Sequence, residues 1–185
     1  MAHLELSCVK NRAEIVGRGL HRCVLRSGSV AIKIHLPQGK KAELLRRARE
    51  VDERNRELRK KVDFLPEYYG TVITGMKRGG ITVPVIATFH EYVEPIRSVS
   101  LGILREVLRL IARAGDMGYL LDMKPSNFGW KDGKVLYLDE YGIGREPIPP
   151  DVMEDLVSLV DEFMRRMRLM RAGRTRRNST NYLNT

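Results

Sequence analysis

The sequence predicts an α+β protein with a strand-rich first half and a mainly helical second half. Short apolar runs separated by glycine-containing turns dominate residues 14–90, which is the pattern of an antiparallel sheet. Apolar residues recur at three- and four-residue steps over 40–62, 101–114 and 152–170, which is helix periodicity. We therefore expect two lobes: an antiparallel sheet with one helix, followed by a reduced helical lobe.

The length of the chain favours one domain. Its 185 residues suit a single domain over 1–172, with lobes over about 1–95 and 96–172 and a basic, polar tail over 173–185. No apolar run approaches the length that spans a bilayer, and the N-terminus lacks the basic and apolar blocks of a signal peptide. We expect no transmembrane segment and a cytoplasmic location.

Positive charge is concentrated near the C-terminus. The formal net charge is +10, but seven arginines and no acids follow Glu162, and subtracting those seven leaves only +3 for the rest of the chain. The seven are Arg165, Arg166, Arg168, Arg171, Arg174, Arg176 and Arg177. Clustered arginine suits nonspecific contact with phosphate backbones, so a nucleic acid is an alternative partner. It is not the favoured partner, because the body of the chain is nearly balanced in charge.

Two features of the first half suggest contact with phosphates. Gly17 and Gly19 stand where a strand enters a turn, and glycines let backbone amides approach a phosphate. A strand that ends in a flexible turn explains the same pair. A following apolar run reaches Lys33, whose alternative interpretation is a surface lysine on an edge strand.

The second half is predicted to begin with a capped helix. Ser100 is the expected cap of the helix over 101–114, and Gly115 would end that helix. Its apolar face would consist of Leu101, Leu104, Leu108 and Ile111. Prolines 147, 149 and 150 then break the chain before Asp151, which would cap the helix over 152–170.

The segment Asp122–Gly142 gathers the residues that can carry chemistry. Asp122, Lys124 and Asn127 share a loop closed by a proline, and a short apolar strand then leads to Asp139. Phosphoryl transfer needs an orienting carboxylate, hard oxygen ligands for Mg²⁺ and a cation near the transferred group. These residue types supply all three, although ordinary polar residues of a hairpin would give the same pattern.

This spacing resembles the catalytic loop of protein kinases, in which Asp-x-Lys-x-x-Asn precedes a strand that ends in the metal-binding Asp. Val30-Ala31-Ile32-Lys33 also resembles the kinase strand Val-Ala-Ile-Lys in full. Val24 falls where the kinase glycine-rich loop has its valine, with Arg22 in place of the third glycine.

Longer stretches are similar to the YrbL-type PhoP regulatory network family of bacterial kinase-like proteins. These stretches are Gly17–Cys23, Arg49–Val51, Leu65–Val72 and Asp122–Asn127. The likeness covers about Ile15 to Gly142 and fades beyond. Together the two resemblances imply a minimal two-lobed protein-kinase-like fold.

The resemblance implies an ATP- and Mg²⁺-dependent phosphotransferase that passes the γ-phosphate to a hydroxyl group. Asp122 would orient the acceptor, Lys124 would offset charge on the γ-phosphate, and Lys33 would hold the α- and β-phosphates. Asn127 and Asp139 would carry Mg²⁺. The residues implied to contact the nucleotide are Gly17, Gly19, Val24, Ala31, Lys33, Glu91 and Val93. The acceptor stays open among proteins, sugars and small molecules, and a plain strand-to-loop exit is the alternative at Glu91 and Val93.

The kinase pattern also requires a glutamate on the first helix to pair with Lys33. Glu50, Glu53 and Glu57 compete for this role, and helical phase puts Glu50 and Glu57 away from the apolar stripe. Periodicity therefore does not choose the partner cleanly. The family resemblance favours Glu50, with Glu53 as the alternate.

Three departures from the kinase pattern bear on function. Leu120-Leu121 replaces the usual His-Arg before the catalytic Asp, Asp139–Gly142 is one residue longer than Asp-Phe-Gly, and no Ala-Pro-Glu follows. Switching by loop phosphorylation is therefore not expected. A nucleotide-binding pseudokinase or regulatory module is the main alternative to an active phosphotransferase.

Overall fold

The structure, a computed structural model, describes residues 5–6, 13–18, 22–35, 41–78, 80–140, 143–145, 156–165 and 167–168. The chain divides into two compact units, Met1–Val93 and Glu94–Thr185. The first contains an antiparallel sheet and one helix, and the second contains helices and two small sheets. The predicted α+β class is confirmed.

The first unit is built on a six-stranded antiparallel sheet with the order β1-β5-β6-β4-β3-β2. Its strands are β1 (Glu5–Leu6), β2 (Glu14–Arg18), β3 (Arg22–Ser27), β4 (Val30–His35), β5 (Tyr68–Arg78) and β6 (Ile81–Glu91). Gly28 turns the chain between β3 and β4 with φ +61°, a conformation that glycine adopts at little cost. The central strand β4 lies between β3 and β6, which fixes Lys33 in the middle of the sheet.

The β5–β6 hairpin is longer than the sequence suggested. The sequence predicts strands over 71–74 and 81–90 with Gly75, Gly79 and Gly80 between them, but Gly75 lies inside β5 and pairs with Pro84. Gly80 lies between the two strands as predicted, with φ +82°. Pairing along the full length of β6 keeps Gly75 in the strand, because each further residue pair adds ladder hydrogen bonds and cross-strand contacts.

One face of this sheet carries the core of the first unit. Its buried members are Cys23, Leu25, Ile32, Ile34, Met76, Val85 and Ala87. Alternate residues of β3 and β4 point to this face, as the period of two in a strand requires. Burial of each large aliphatic side chain contributes roughly 1.5–3 kcal/mol, so the cluster holds the sheet rigidly.

Helix α1 (Lys41–Lys61) confirms the helix predicted over 40–62. Leu58 and the neighbouring Val62 are buried, as the predicted apolar stripe requires. Asn55 is also fully buried on this helix, with its amide nitrogen donating to Val51 O at 2.9 Å. The charged face of α1 is exposed and carries ion pairs at i, i+3 and i, i+4 spacing.

The second unit begins with helix α2 (Leu101–Asp116). Its predicted cap is confirmed, because the Ser100 hydroxyl accepts a hydrogen bond from Ile103 N at 3.2 Å. The predicted apolar face is wrong in phase. The buried residues are Leu104, Val107, Leu110 and Ala114, whereas Leu101 and Leu108 are exposed. This helix has more apolar residues than one face can hold, so tertiary packing chooses among the possible stripes.

Two small antiparallel sheets follow α2. Strands β7 (Tyr119–Leu121) and β10 (Ile143–Arg145) form one, and β8 (Phe128–Lys131) and β9 (Lys134–Tyr137) form the other. A single turn of 3-10 helix, Pro125–Asn127, connects β7 to β8. Asp132 and Gly133 both have positive φ, which is the two-residue turn that suits the twist of a hairpin. The predicted strand before Asp139 is therefore confirmed as β9.

The last described helix, α3, covers 156–165, with Leu159 and Phe163 buried. The expected cap at Asp151 and the basic tail over 173–185 lie outside the described residues. Within the ranges that the structure describes, no helix is long and apolar enough to cross a membrane.

Candidate active site

Asp122, Lys124 and Asn127 lie close together in the loop that follows β7. Lys124 Nζ is 2.6 Å from Asp122 Oδ2, and Asn127 Nδ2 donates to the Asp122 main-chain oxygen at 3.1 Å. The loop keeps this shape because Pro125 begins the 3-10 turn and Asn127 N donates to Lys124 O at 2.9 Å. Asp122 is partly buried while Lys124 is largely exposed, so a carboxylate and a mobile ammonium group face solvent together.

Tyr137, on β9, forms hydrogen bonds with this loop. No sequence pattern indicated a role for it. Its phenol oxygen accepts from Asp122 N at 3.0 Å, and its hydroxyl donates to Asp122 O at 3.2 Å. The ring is fully buried and packs edge-on against Phe128, with centroids 5.5 Å apart. Burial, with added effects of the Asp139 and Asp122 carboxylates, raises the pKa of the phenol far above its usual value.

Asp139 lies two residues after Tyr137, just beyond the end of β9. Leu138 N donates to Asn127 O at 2.6 Å, which ties the end of β9 to the 3-10 turn. The second unit therefore places Asp122, Lys124 and Asn127 in contact within one loop, and Asp139 follows a residue that is bonded to that loop.

The side-chain oxygens of Asn127 and Asp139 are donors of the kind that fits Mg²⁺. Asn127 uses its amide nitrogen to bind Asp122 O, which leaves its carbonyl oxygen as the end that can face a cation. Mg²⁺ prefers hard oxygen ligands and usually takes only one or two from a protein, with water and phosphate oxygens completing the octahedron. Among the described residues no group of three or more His, Cys, Asp or Glu forms a metal-binding cluster.

Lys33 and Ala31 occupy neighbouring positions on one face of β4 in the first unit. Lys33 pairs with Thr88 and Val24, and Ala31 pairs with His90 and Arg26. Lys33 is only 8% exposed. The alternative of a surface lysine on an edge strand is therefore excluded. Burying a lysine is costly unless its ammonium group is paired or hydrogen-bonded.

The segment around Gly17 differs from the glycine-rich loop that the kinase resemblance implies. Gly17 lies inside β2 and pairs with Val24 of β3, just after a register shift at Ile15. A Cβ atom at Gly17 would meet Val24 at 3.6 Å, an ordinary contact, so packing alone does not demand glycine there. Gly19 lies outside the described residues.

Glu50 does not contact Lys33 in this structure. Its side chain is 53% exposed and forms an ion pair with Arg46, one turn earlier on α1. The alternate, Glu53, is exposed as well. The helix phase predicted that Glu50 lies away from the apolar stripe, and the exposure of Glu50 agrees with this. The ion pair between Glu50 and Lys33 that the family resemblance favours is not formed.

The predicted adenine-binding segment leaves β6 at Glu91. Glu91 N donates to Glu67 O at 2.8 Å, so this amide is engaged inside the first unit. Tyr92 N likewise donates to Ser29 O at 2.8 Å, and Val93 is buried. The Glu91 amide is therefore already hydrogen-bonded, and Val93 is only 5% exposed.

Two polar networks attach α1 to the sheet, and sequence patterns alone did not indicate either. Asp52 accepts hydrogen bonds from Tyr68 and Arg56, and hydrogen bonding to Arg56 lowers the pKa of the Asp52 carboxyl. Burial is the main reason that the pKa of Tyr68 rises to about 12. The second network centres on Arg59 and the buried His90, whose Nδ1 lies 3.1 Å from Arg59 Nη2.

Comparisons with known proteins give information on the fold alone. No family model and no curated protein sequence matches the chain. The chain is similar to the structure of WbdD in complex with the kinase inhibitor LY294002, with a TM-score of 0.51 and 14% identity over 78% of this chain and 36% of that chain. A structure of monomeric WbdD has a TM-score of 0.46 and 15% identity over 77% of this chain and 37% of that chain. The chain spans little more than a third of the WbdD chains it matches.

Proposed function

We propose that this protein is a kinase-like phosphotransferase that uses ATP and Mg²⁺ to phosphorylate a hydroxyl group. The observation that carries the proposal is the loop in which Asp122 contacts Lys124 and Asn127, with the proposed ligand Asp139 just beyond the adjoining strand β9. A kinase-like fold alone would not support an activity, because one fold hosts many functions. The constellation of side chains is what supports the reaction class.

The residues of the second unit would act on the transferred group. Asp122 would accept a hydrogen bond from the substrate hydroxyl and orient its oxygen toward the γ-phosphorus. Lys124 would move from Asp122 to the γ-phosphate as negative charge shifts onto the equatorial oxygens, which its exposed stem allows. Asn127 and Asp139 would hold Mg²⁺, which offsets phosphate charge when bound.

The residues of the first unit would hold the nucleotide. Lys33 would bind the α- and β-phosphates, and its burial in the sheet would make this contact rigid. Gly17, Val24 and Ala31 would contact the nucleotide along the strands β2 to β4. The carbonyl of Glu91 and the apolar side chain of Val93 would meet the adenine ring.

Nucleotide binding tests the cofactor part of this proposal. We expect Asp139→Asn to lower the affinity for ATP measured with Mg²⁺ by at least about tenfold, because it removes a charged ligand. The affinity measured with EDTA in place of Mg²⁺ should change little. Titration calorimetry would give both values, and Asp132→Asn is the matched control, since Asp132 sits in the exposed β8–β9 turn. Equal Mg²⁺-dependent affinity for wild type and Asp139→Asn would contradict the assignment.

A nucleotide-binding pseudokinase or regulatory module is the second candidate. The pairing of Glu50 with Arg46 favours it, because Lys33 then lacks the glutamate that active kinases place on this helix. A thermal shift with ATP and Mg²⁺, without any transfer of labelled phosphate to lysate proteins or small molecules, would establish this candidate instead of the enzyme.

We also propose that the chain belongs to the YrbL-type family. The stretches at Gly17–Cys23, Leu65–Val72 and Asp122–Asn127 support membership of the YrbL-type family, and a cytoplasmic location would accord with ATP as substrate. A phosphate-backbone partner for the arginine-rich end is less favoured, because Arg165 already pairs with Glu162. Tracing the labelled phosphate to a protein or small-molecule fraction would identify the hydroxyl acceptor.

A further inference from the structure

The backbone of Asp122 is held by the side chain of Tyr137, which the proposed reaction does not otherwise use. Among the described residues, the strand pairing of β7 ends at Leu121, and the backbone N–H and C=O of Asp122 have side-chain partners. The Tyr137 hydroxyl supplies both, as acceptor for Asp122 N at 3.0 Å and donor to Asp122 O at 3.2 Å. The Tyr137 hydroxyl therefore bonds to the main chain on both sides of the Asp122 side chain, the proposed orienting carboxylate.

The two backbone groups of Asp122 depend on Tyr137 to different degrees. The carbonyl oxygen has a second donor, because Asn127 Nδ2 also reaches it at 3.1 Å. The amide hydrogen donates to the Tyr137 oxygen. Loss of the hydroxyl would therefore leave the carbonyl bonded and the amide without its acceptor, which is an asymmetry that an experiment can detect.

Tyr137 is well placed for this role because neither its ring nor its hydroxyl can move freely. The ring is fully buried and packs edge-on against Phe128. A phenol hydroxyl can donate one hydrogen bond and accept another, which is the arrangement it has with the backbone of Asp122. The same strand leads directly to Asp139 two residues later, so one rigid element sets the backbone of Asp122 and delivers the proposed metal ligand.

We propose that Tyr137 is a positioning residue, whose hydroxyl fixes the main chain of Asp122 and thereby aims its carboxylate at the acceptor. The inference rests on the proposed phosphotransferase function for its catalytic consequence, but not for its structural one. Small displacements of a reacting group can cost one to two orders of magnitude in rate, so a positioning role has a measurable effect.

The test compares Tyr137→Phe with wild type and with Tyr119→Phe. Tyr119 is a buried phenol on β7, and its hydroxyl is not among the groups that contact Asp122. Hydrogen exchange of the Asp122 amide, followed by NMR, should be at least about tenfold faster in Tyr137→Phe and unchanged in Tyr119→Phe, since only the first removes the acceptor. The maximal rate of phosphate transfer should fall by about tenfold in Tyr137→Phe with an unchanged KM for ATP.

The outcomes separate this inference from the proposed function. Unchanged exchange of the Asp122 amide in a folded Tyr137→Phe protein would overturn the inference, as would faster exchange with a wild-type transfer rate. A fall in rate matched by Tyr119→Phe would also overturn it, because general loosening of the core would then be the cause. If wild type transfers no phosphate to any acceptor, the proposed function fails, while the exchange measurement still decides whether Tyr137 fixes Asp122.

Discussion

At the scale of single residues, the candidate site combines groups with very different exposure. Lys33 is buried in the middle of a sheet, whereas Lys124 is largely exposed beside Asp122. A lysine held in a sheet suits a constant contact with phosphates, and an exposed lysine suits a contact that forms as charge develops. This difference fits the separate roles proposed for the two lysines.

Gly17 offers a test of the nucleotide contact that leaves the fold intact. A methyl group at this position fits against Val24, and φ is not in the left-handed region, so Gly17→Ala should keep or raise the free energy of unfolding by up to about 1 kcal/mol. If backbone atoms at Gly17 approach the phosphates, the methyl group will obstruct them. We therefore expect calorimetry to show weaker binding of ATP.

The matched control is Gly144→Ala on β10, where a Cβ atom would meet nothing within 4 Å. It should raise the free energy of unfolding by a similar amount and leave ATP affinity as in wild type. Unchanged ATP affinity in Gly17→Ala would remove Gly17 from the nucleotide site, whatever the result for the other residues.

The chemically reactive residues could be predicted from the sequence more readily than the residues that hold them. Asp122, Lys124 and Asn127 have a recognisable spacing, and the structure places them within contact distance of one another. Tyr137 occupies a buried position of a short strand, where any large apolar residue would give the same pattern. Only the three-dimensional pairing of β9 with the loop after β7 reveals that its hydroxyl has a purpose.

At the scale of secondary-structure elements, the attachment of α1 to the sheet depends on Arg59. Its guanidinium group donates to Pro66 O at 2.9 Å and to Asn55 Oδ1 at 2.9 Å, and it lies 3.1 Å from His90 Nδ1. These contacts join the last turns of α1 to the start of β5 and the end of β6. A change at Arg59 should therefore loosen the whole helix.

We expect Arg59→Ala to lower the free energy of unfolding by about 2 kcal/mol, because several partly buried acceptors lose their donor at once. Arg49→Ala on the exposed side of the same helix is the matched control and should change stability by less than about 0.5 kcal/mol. Urea unfolding followed by circular dichroism gives both values. Equal effects of the two changes would show that Arg59 does not attach the helix.

Element positions were predictable where a local signal was strong and less so where packing made the choice. The Ser100 cap and the turn at Asp132 and Gly133 have short-range causes, and the cap occurs as expected. The buried face of α2 has no such local cause. Its apolar residues support more than one stripe, and contact with the rest of the second unit selects Val107 and Leu110 instead of Leu101 and Leu108.

At the scale of the whole molecule, the fold and the chemistry have different support. The α+β class comes from the strands and helices of the two units, and the similarity to a WbdD structure concerns the fold alone. The proposed reaction depends on a handful of side chains, most of them in the second unit. Activity must therefore be tested by changing those side chains and leaving the fold alone.

The most direct test is transfer of labelled γ-phosphate from ATP in the presence of Mg²⁺, comparing wild type with Asp122→Ala and with Asp116→Ala. Asp116 is an exposed acid at the end of α2 and serves as the matched control. We predict that wild type and Asp116→Ala label an acceptor and that Asp122→Ala is slower by at least about a hundredfold with its ATP affinity retained. Equal labelling by Asp122→Ala and wild type, or no labelling by wild type in any protein or small-molecule fraction, would contradict the account.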